Sequence, residues 1–392
     1  MRFATQLKPR CVIEGKLTAP NISPTVDLGK FNSVVFADRL INWYVANRRP
    51  MRWHGADAYS VWVSEIMLQQ TQAATVTEYY DRFMHSFPTV HALAAASQEV
   101  VLAHWSGLGY YARARNLHEA AKIVVARHGG NVPNSLNELL NLPGIGRYTA
   151  GAILSIAYNQ PVPLVDANVA RVISRLFTLN ELPTSREGNK NLWAITSHLV
   201  PLQHPGLFNQ GLMELGATVC TPTAPDCNKC PVTSLCGAHA TVDPSQWPTK
   251  TARKKFVQQI HCSVVVRQPD GGVYLVRRPS RGRWGGLWEF PRVECKQDET
   301  PCEAAERAAR QLLNVPITDV TMVTAVKHTV THHNITLYCC TAQALEVPVT
   351  GEGIHLVSVE SLPDYPLAAP QVLLRNQILC PAKFEIQQAL TL

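Results

Sequence analysis

One acidic side chain stands in surroundings that suit acid–base chemistry. Glu65 lies in an otherwise apolar stretch, where its neighbours at helical spacing are Val61, Trp62, Ile66 and Leu68. Apolar neighbours desolvate a carboxylate and raise its pKa, which is what a general acid needs near neutral pH. We therefore predict that Glu65 is a catalytic general acid. The alternative is a solvated residue on an exposed helix face.

A second carboxylate, Asp166, stands directly before a predicted helix over residues 168–177. Its side chain can cap the N-terminus of that helix, and a capped carboxylate stays ionised. One protonated and one charged carboxylate match the arrangement that cleaves glycosidic bonds. The sequence predicts this chemistry for Glu65 and Asp166, with helix capping alone as the alternative role of Asp166.

Residues 142–151, with the sequence LPGIGRYTAG, join two predicted helices. Gly144 and Gly146 let the backbone turn tightly and approach a ligand closely. The second helix then presents free N–H groups at the turn, an arrangement that binds a phosphate without reading base sequence. The pattern predicts a helix–hairpin–helix element that contacts DNA at Gly144 and Gly146. A plain turn between packed helices is the alternative.

Two further segments carry side chains suited to nucleic acid. Gln70 and Thr71 belong to the polar run QQTQ, which can enter a duplex or simply face water. The segment 105–116 combines glycines with tyrosines and arginines, Tyr110 and Arg113 among them. Aromatic rings stack on bases and arginines neutralise phosphates. We predict DNA contacts for these four residues. For the second segment, a core aromatic pair beside a solvated turn is the alternative.

Four of the eleven cysteines form a group with the spacing C-x6-C-x2-C-x5-C. The group lies in proline-containing, loop-like sequence and consists of Cys220, Cys227, Cys230 and Cys236. Four thiolates at irregular spacing favour a 4Fe–4S cluster, whereas zinc prefers paired C-x2-C hooks and only one is present. The sequence predicts the iron–sulfur cluster, and zinc or disulfides remain the alternatives.

Length and composition set broader limits. The chain has 392 residues, 46% of them hydrophobic, enough for two or three domains with a sizeable core. The formal net charge of +7 suits a polyanionic partner. No apolar run reaches the roughly 18 residues of a membrane span, and the N-terminal residues lack a signal-peptide core, so we expect no membrane partner. A chain of this size needs no disulfides, so a reducing, cytoplasmic location is expected.

Helical spacing of apolar residues dominates the first two thirds of the chain. It predicts helices over residues 31–46, 61–84, 90–95, 100–105, 116–128, 134–142, 148–158, 168–177, 189–202 and 209–219. After Cys236 the pattern changes, and it predicts strands over residues 260–266, 273–276, 321–326, 335–340 and 355–359, with one helix over residues 301–313. The predicted fold class is a multidomain chain with an all-α part followed by an α+β part.

In their order along the chain, these motifs resemble those of the A/G-specific adenine DNA glycosylase (MutY) family of helix–hairpin–helix DNA glycosylases. The resemblance spans about residues 33–392 and rests on the cysteine group and the segments WVSEIMLQQTQ, WSGLGYYARARNLH, LPGIGRYTAGA and VDANVARV. It implies a monofunctional base excision repair enzyme that flips adenine out opposite 8-oxoguanine or guanine and hydrolyses its N-glycosidic bond. The implied partner is double-stranded DNA with such a mispair. The implied protein is a monomer, nucleoid-associated if bacterial.

The resemblance implies roles for individual residues. Glu65 would protonate adenine N7, and Asp166 would stabilise the oxocarbenium ion of the sugar or trap it covalently. Tyr148 and Asn168 would support the catalytic pocket.

Other implied roles concern the duplex. Gln70 and Tyr110 would be wedges that enter the base stack as adenine leaves it. Thr331 and His332 would contact the 8-oxoguanine.

Composition and the resemblance together predict four regions. They are an N-terminal extension over residues 1–32, a helix–hairpin–helix glycosylase domain over 33–239 with the cluster loop at 220–236, a linker over 240–257, and a Nudix-like 8-oxoguanine recognition domain over 258–392. The linker carries a basic cluster formed by Lys250, Arg253, Lys254 and Lys255.

The chain departs from the family pattern in two places. Of a usual Leu-Pro-Trp, only the tryptophan is kept in the segment Met51–Trp53. The usual Phe-Ser-His loop reads Val330-Thr331-His332, which keeps a hydroxyl and loses an aromatic ring.

Three other classes of protein compete with this interpretation. An endonuclease III-like lyase needs a lysine where Tyr148 stands, yet no lysine lies between Lys122 and Lys190. A Nudix hydrolase needs paired acids on a helix, where this chain has Arg310-Gln311. A non-catalytic DNA-binding scaffold leaves an acid in apolar surroundings unexplained.

Overall fold

The computed structural model describes residues 28, 31–241, 243–249, 256–279 and 283–379. They form two compact units. The first comprises the described residues of Met1–Arg48 and Pro161–Lys250, and the second those of Arg49–Gln160 and Thr251–Leu392. Most of the predicted N-terminal extension lies outside the described residues, as does the basic cluster of the linker, residues 250–255. The predicted domain boundaries stay predictions.

Helices dominate the chain up to residue 218. In chain order they are α1 (Ser33–Asn47), α2 (Ala58–Leu68), α3 (Ala73–Ser86), α4 (Val90–Ala95), α5 (Gln98–His104), α6 (Ala112–His128), α7 (Leu136–Leu140), α8 (Arg147–Ala152), α9 (Ala167–Leu176), α10 (Arg186–Leu199) and α11 (Pro205–Thr218). A π-helical turn, Ile153–Ala157, continues α8. Side chains accept a hydrogen bond from the first turn at six helix starts: Asn32, Asp57, Thr89, Ser97, Asp166 and Ser185.

In the first unit, α11 packs against both α1 and α9. The buried rings of Phe36 on α1 and Phe208 on α11 meet edge to face, with centroids 5.8 Å apart. Gly216 lets α11 come close to α9, because a Cβ added there would lie 2.6 Å from the Cβ of Asn168. This packing holds the beginning of α9, where Asp166 stands, in place.

In the second unit, α2 is buried from Tyr59 to Met67. The single helix predicted over residues 61–84 is wrong, because α2 ends at Leu68 and α3 begins at Ala73. Gln70 adopts a left-handed φ of 58°, which is incompatible with a continuous right-handed helix. The polar run QQTQ therefore forms a loop at the end of the helix that carries Glu65.

A mixed sheet forms the C-terminal part of the second unit. Its elements are β1 (Val257–Arg267), β2 (Val273–Arg277), β3 (Trp288–Glu289), β4 (Arg292–Glu294), α12 (Pro301–Leu312), β5 (Ile317–Val330), β6 (His333–Ala344), β7 (Ile354–Val357) and α13 (Ala369–Leu379). The strand order is β3-β2-β1-β6-β5, with β4 paired to β1 and β7 to β2. Strands β1 and β6 run parallel, and β5 runs antiparallel to β6. The short strands β3 and β4, and helix α13, were not predicted.

Helix α12 covers one face of this sheet. Its start carries a capping box in which the side chains of Thr300 and Glu303 each bond to the other's backbone N–H. Its buried face is a row of alanines, so the helix lies close to the strands: Ala304, Ala305, Ala308 and Ala309. Within the described residues, no helix is long and apolar enough to cross a membrane.

Candidate active site

The first part of the site is a hydrogen bond between α2 and α8. Glu65 is only 3% exposed, and its Oε2 accepts a hydrogen bond of 2.6 Å from the hydroxyl of Tyr148. A second bond between the same elements runs from Gln69 Nε2 to Thr149 Oγ1, over 3.2 Å. Burial of Glu65 among apolar side chains was predicted from the spacing, and the structure brings Tyr148 to its carboxylate.

A separate group of predicted site residues lies at the beginning of α9, in the first unit. Asp166 Oδ1 accepts a 2.7 Å hydrogen bond from the backbone N–H of Val169, so the predicted helix cap is present. Asn168 Nδ2 donates to Asp166 Oδ2 over 3.1 Å, and Arg171 Nη2 donates to Asn168 Oδ1 over 2.8 Å. Burial raises the pKa of Asp166, although these hydrogen bonds and Arg171 partly oppose that shift. Because Glu65 lies in the second unit, the pairing of the two carboxylates stays a prediction.

The hairpin between α7 and α8 uses its two glycines differently. Gly144 has a φ of +78°, in the region that favours glycine, and a Cβ there would lie 2.7 Å from the Cβ of Asn116. Gly146 has an extended backbone, with φ −97° and ψ 180°, and nothing lies within 4 Å of the position of its Cβ. The buried Ile145 anchors the turn between them. The backbone conformation at Gly144 therefore requires glycine. At Gly146 the backbone does not require glycine, and the space beside its Cα is open.

The two predicted wedge residues occupy loops with unusual backbone geometry. Gln70 has a φ of 58° and Tyr110 a φ of 49°, and the Tyr110 side chain is 51% exposed. Both terminal nitrogens of Arg113 already donate to protein acceptors, among them Thr71 Oγ1. Direct DNA contacts of Gln70, Thr71, Tyr110 and Arg113 stay predictions.

The cysteine group lies in the first unit, after α11. All four thiols are free and partly exposed, so the disulfide alternative does not apply to them. Burial is the main cause that raises the pKa of Cys230 to about 12, and the sulfurs of Cys220, Cys236 and Cys227 contribute to that value, so the four side chains face a common region. Across the part of the chain that the structure describes, no group of three or more His, Cys, Asp or Glu side chains is placed to hold a metal ion.

The surroundings of the cysteines fit the predicted iron–sulfur cluster. The backbone N–H of Val232 faces the sulfur of Cys230, and those of Ala238 and His239 face the sulfur of Cys236. Backbone donors to ligand sulfurs are one of the means by which proteins tune iron–sulfur clusters.

Sequence reasoning missed two arginines that brace this loop from α9. Arg175 is 2% exposed, and its Nη1 lies 3.2 Å from Cys220 Sγ and 2.7 Å from the carbonyl oxygen of Thr221. Arg171 Nε donates to the carbonyl oxygen of Cys220 over 2.8 Å. Their spacing of four residues on an otherwise apolar helix is a signal that could have identified them.

A cavity of about 400 Å³ lies between the helical part and the sheet part of the second unit. Tyr110 lines it from the α5–α6 loop, and Thr331 lines it from the turn between β5 and β6. Thr331 has a φ of 56°, rare for a β-branched residue, and His332 is exposed beside it. Arg115, one of the arginines of the predicted segment 105–116, also lines the cavity, and its Nη1 donates to the carbonyl oxygen of Gly285 over 3.0 Å. Trp284, which sequence reasoning missed, lines it as well.

Two family models match the chain. The model described as "HhH-GPD superfamily base excision DNA repair protein" matches residues 63–198, and the model of the NUDIX domain matches residues 262–376. The first match includes the hairpin, Glu65 and Asp166, and the second includes the mixed sheet and α12.

Curated relatives extend this likeness over most of the chain. The human "Adenine DNA glycosylase" is 38% identical over 376 residues, which cover 80% of this chain and 68% of the relative. The chain belongs to the adenine DNA glycosylase family. The relative from Buchnera aphidicola subsp. Baizongia pistaciae is 34% identical, covering 78% of this chain and 85% of its own length. The rat relative is 43% identical over 66% of this chain.

The chain spans about half to three fifths of the length of several curated relatives in this family, 60% in the case of the rat protein. The resemblance that the motifs indicated is confirmed by the relatives. The predicted fold class, a helical helix–hairpin–helix part followed by a Nudix-like α+β part, is confirmed by the two family models.

Proposed function

We propose that this chain is an adenine DNA glycosylase of base excision repair, acting on adenine opposite 8-oxoguanine or guanine in duplex DNA. The observation that carries the proposal is the buried Glu65 with the hydroxyl of Tyr148 at 2.6 Å, directly after the hairpin. The relatives named "Adenine DNA glycosylase" support the choice of base.

In the proposed reaction, Glu65 and Asp166 both act on a nucleotide whose adenine has been flipped out of the duplex. Glu65 in its protonated form gives a proton to adenine N7, which makes the base a better leaving group. The N-glycosidic bond then breaks, and its electron pair leaves with adenine. The charged Asp166 stabilises the positive sugar, and water adds to C1′ and loses its proton, which completes hydrolysis. Asn168 holds Asp166 in place through its 3.1 Å hydrogen bond.

The reaction ends at base removal in this proposal. Strand cleavage by a lyase requires an amine that forms a Schiff base with the sugar. Tyr148 occupies the position beside Glu65 where such a lysine belongs, and no lysine lies between Lys122 and Lys190.

The sheet part of the second unit is proposed to recognise the base opposite adenine, with Thr331 and His332 as the contacting residues. Thr331 shares the 400 Å³ cavity with Tyr110, which supports a common role at the duplex. A Nudix hydrolase would need paired acids at the position on α12 where this chain has Arg310 and Gln311, after the buried Ala308 and Ala309. The missing acids favour recognition over hydrolysis.

A 4Fe–4S cluster on Cys220, Cys227, Cys230 and Cys236 completes the proposal. The cluster, when bound, would cross-link the loop after α11 through four iron–thiolate bonds. Arg171 and Arg175 would tie that loop to α9 and so to Asp166. We expect the protein to bind DNA as a monomer in the cytoplasm, at the nucleoid in a bacterium.

A single assay tests this function. Under single-turnover conditions, the wild type should excise adenine from duplexes with adenine opposite 8-oxoguanine or guanine and leave thymine glycol untouched. Glu65→Gln should bind the same duplexes and lose at least about a hundredfold in excision rate, the share expected of a general acid. Excision of thymine glycol, efficient borohydride trapping through an amine, or near-normal turnover by Glu65→Gln would each contradict the proposal.

A further inference from the structure

Two short loops in the second unit hold the candidate wedge residues in an unfavourable backbone conformation. One loop joins α2 to α3 and contains Gln70; the other joins α5 to α6 and contains Tyr110. Both residues have positive φ angles, 58° and 49°, which residues with a Cβ rarely adopt. Such conformations persist only where the surrounding structure holds them in place.

One guanidinium contacts both loops. Arg113 Nη1 donates to the carbonyl oxygen of Gln69, and Arg113 Nη2 donates to that of Gly109 over 3.1 Å. These two carbonyls belong to the peptide groups directly before Gln70 and Tyr110. The same side chain therefore fixes the peptide plane that precedes each wedge.

The Arg113 guanidinium donates further hydrogen bonds to residues beside both loops. On the α2 side, Nη1 donates to the carbonyl oxygens of Ile66 and Met67, each over 2.9 Å, and Nη2 to Thr71 Oγ1 over 3.3 Å. On the α5 side, Nη2 donates to the carbonyl oxygen of Leu108 over 3.2 Å. The bonds to Ile66 and Met67 satisfy carbonyls at the end of α2 that the broken helix leaves without intrahelical partners.

The chemistry of this position requires an arginine. Its acceptors are neutral oxygens that lie on two different loops on either side of the guanidinium. Burial lowers the pKa of Arg113 to about 10. Its Cζ also lies 5.5 Å from the ring centroid of Tyr110 and 5.4 Å from that of Trp105. A planar guanidinium offers donors on two separate nitrogens, whereas lysine offers all of its donors on one atom. Lysine can keep the charge but cannot reach both loops.

We propose that Arg113 is a positioning residue that joins the loops of Gln70 and Tyr110 into one rigid two-part wedge. This inference rests on the proposed function, in which both side chains enter the duplex. Arg113 then acts on base extrusion and not on the cleavage of the glycosidic bond. Extrusion has to unstack and unpair the adenine, and a wedge fixed in advance avoids the cost of ordering two loops at that step.

The test compares Arg113→Lys with Arg127→Lys. Arg127 lies exposed near the C-terminal end of the same helix, so it is a matched control. Single-turnover excision is measured on adenine opposite 8-oxoguanine in two duplexes, one with paired flanks and one with mismatched flanks, where extrusion costs less. A 2-aminopurine beside the target adenine reports unstacking directly.

On the paired duplex, we expect Arg113→Lys to lose about tenfold in excision rate, which corresponds to about 1.4 kcal/mol. It should also lose most of the 2-aminopurine signal on that duplex. On the duplex with mismatched flanks its loss should shrink to about threefold or less. Arg127→Lys should match the wild type on both. Equal losses on the two duplexes, or no loss on the paired one, would overturn the proposal.

Two further measurements keep the inference testable. If Arg113→Lys fails to fold, Thr71→Val removes one acceptor of the Arg113 guanidinium. This variant should lose less excision rate than Arg113→Lys, and only on the paired duplex. An equal loss on both duplexes would refute the inference.

If the wild type excises no adenine at all, the proposed function fails. Hydrogen exchange then decides whether Arg113 joins the loops, because amides of both loops should exchange faster together in Arg113→Lys and not in Arg127→Lys.

Discussion

At the scale of single residues, the two proposed catalytic carboxylates have different surroundings. Glu65 is buried on α2 and accepts a hydrogen bond from the hydroxyl of Tyr148. Asp166 accepts hydrogen bonds from a backbone N–H and from the amide of Asn168. The hydrogen bonds to Asp166 favour its charged form, although they offset only part of the effect of burial on its pKa.

Asp166→Asn should separate stability from activity. Burial raises the native pKa of Asp166, so the native state favours the protonated carboxyl, and stability falls as the pH rises through its titration range. The neutral asparagine avoids this penalty and can still cap α9. We expect excision to be lost while the free energy of unfolding at pH 7 rises by about 1 kcal/mol.

Urea unfolding at pH 7 and near pH 4 checks this prediction. The gain should shrink towards the lower pH, where the carboxyl of the wild type is itself protonated. If Asp166→Asn instead lowers the free energy of unfolding by the same amount at both pH values, burial is not the dominant cause of the pKa shift of Asp166.

At the scale of elements, the hairpin offers a matched pair of substitutions. Gly144→Ala places a Cβ at a φ of +78° and 2.7 Å from the Cβ of Asn116, so it should cost about 1–3 kcal/mol of stability. Gly146→Ala meets no atom within 4 Å and should change stability by less than about 1 kcal/mol. Its methyl group would instead stand where a phosphate approaches, so DNA affinity should fall.

Thermal unfolding and DNA titration at one salt concentration, measured on both variants, check this division. Equal stability losses in the two variants, or unchanged DNA affinity of Gly146→Ala, would show that the hairpin does not use its glycines in these separate ways.

The turn between β5 and β6 allows a second test at this scale. Thr331→Val keeps the β-branched shape but removes the hydroxyl, which in the free protein donates to the carbonyl oxygen of Val330 over 2.7 Å. We expect excision opposite 8-oxoguanine to slow by roughly tenfold relative to excision opposite guanine, the worth of one hydrogen bond. The comparison of both duplexes, with His332→Ala in parallel, decides it. Equal small losses on both would reject lesion reading by this turn.

Local patterns were enough to predict the hairpin, the burial of Glu65 and the cap at Asp166, because each depends on residues within about four positions. The break between α2 and α3 could not be predicted in this way. Its carbonyls are satisfied by Arg113, more than forty residues further along the chain. The cavity beside Thr331 also depends on distant partners, since Tyr110 and Trp284 meet only through the fold.

At the scale of the whole molecule, the proposed cluster predicts measurable composition. The purified protein should be brown, with iron and sulfide near four per chain. Cys230→Ser should lose iron and lower thermal stability, because the loop would lose its cross-link. Cys295→Ser, a partly exposed thiol on the other unit, should keep its iron. A colourless, zinc-containing and fully active wild type would contradict the cluster.

The discontinuous first unit has a consequence for how the protein is made. Helix α1 leaves the ribosome early, yet α11, against which it packs, begins about 160 residues later. At a synthesis rate of roughly 5–20 residues per second, α11 is made about 8–30 s after α1. The side chains of Phe36, Leu40 and Tyr44 have no α11 to pack against during that time. Helices of the second unit can assemble within that interval. Nascent chains stalled before Pro205 should therefore expose α1 to a chaperone or a protease, whereas chains stalled well beyond Thr218 should protect it.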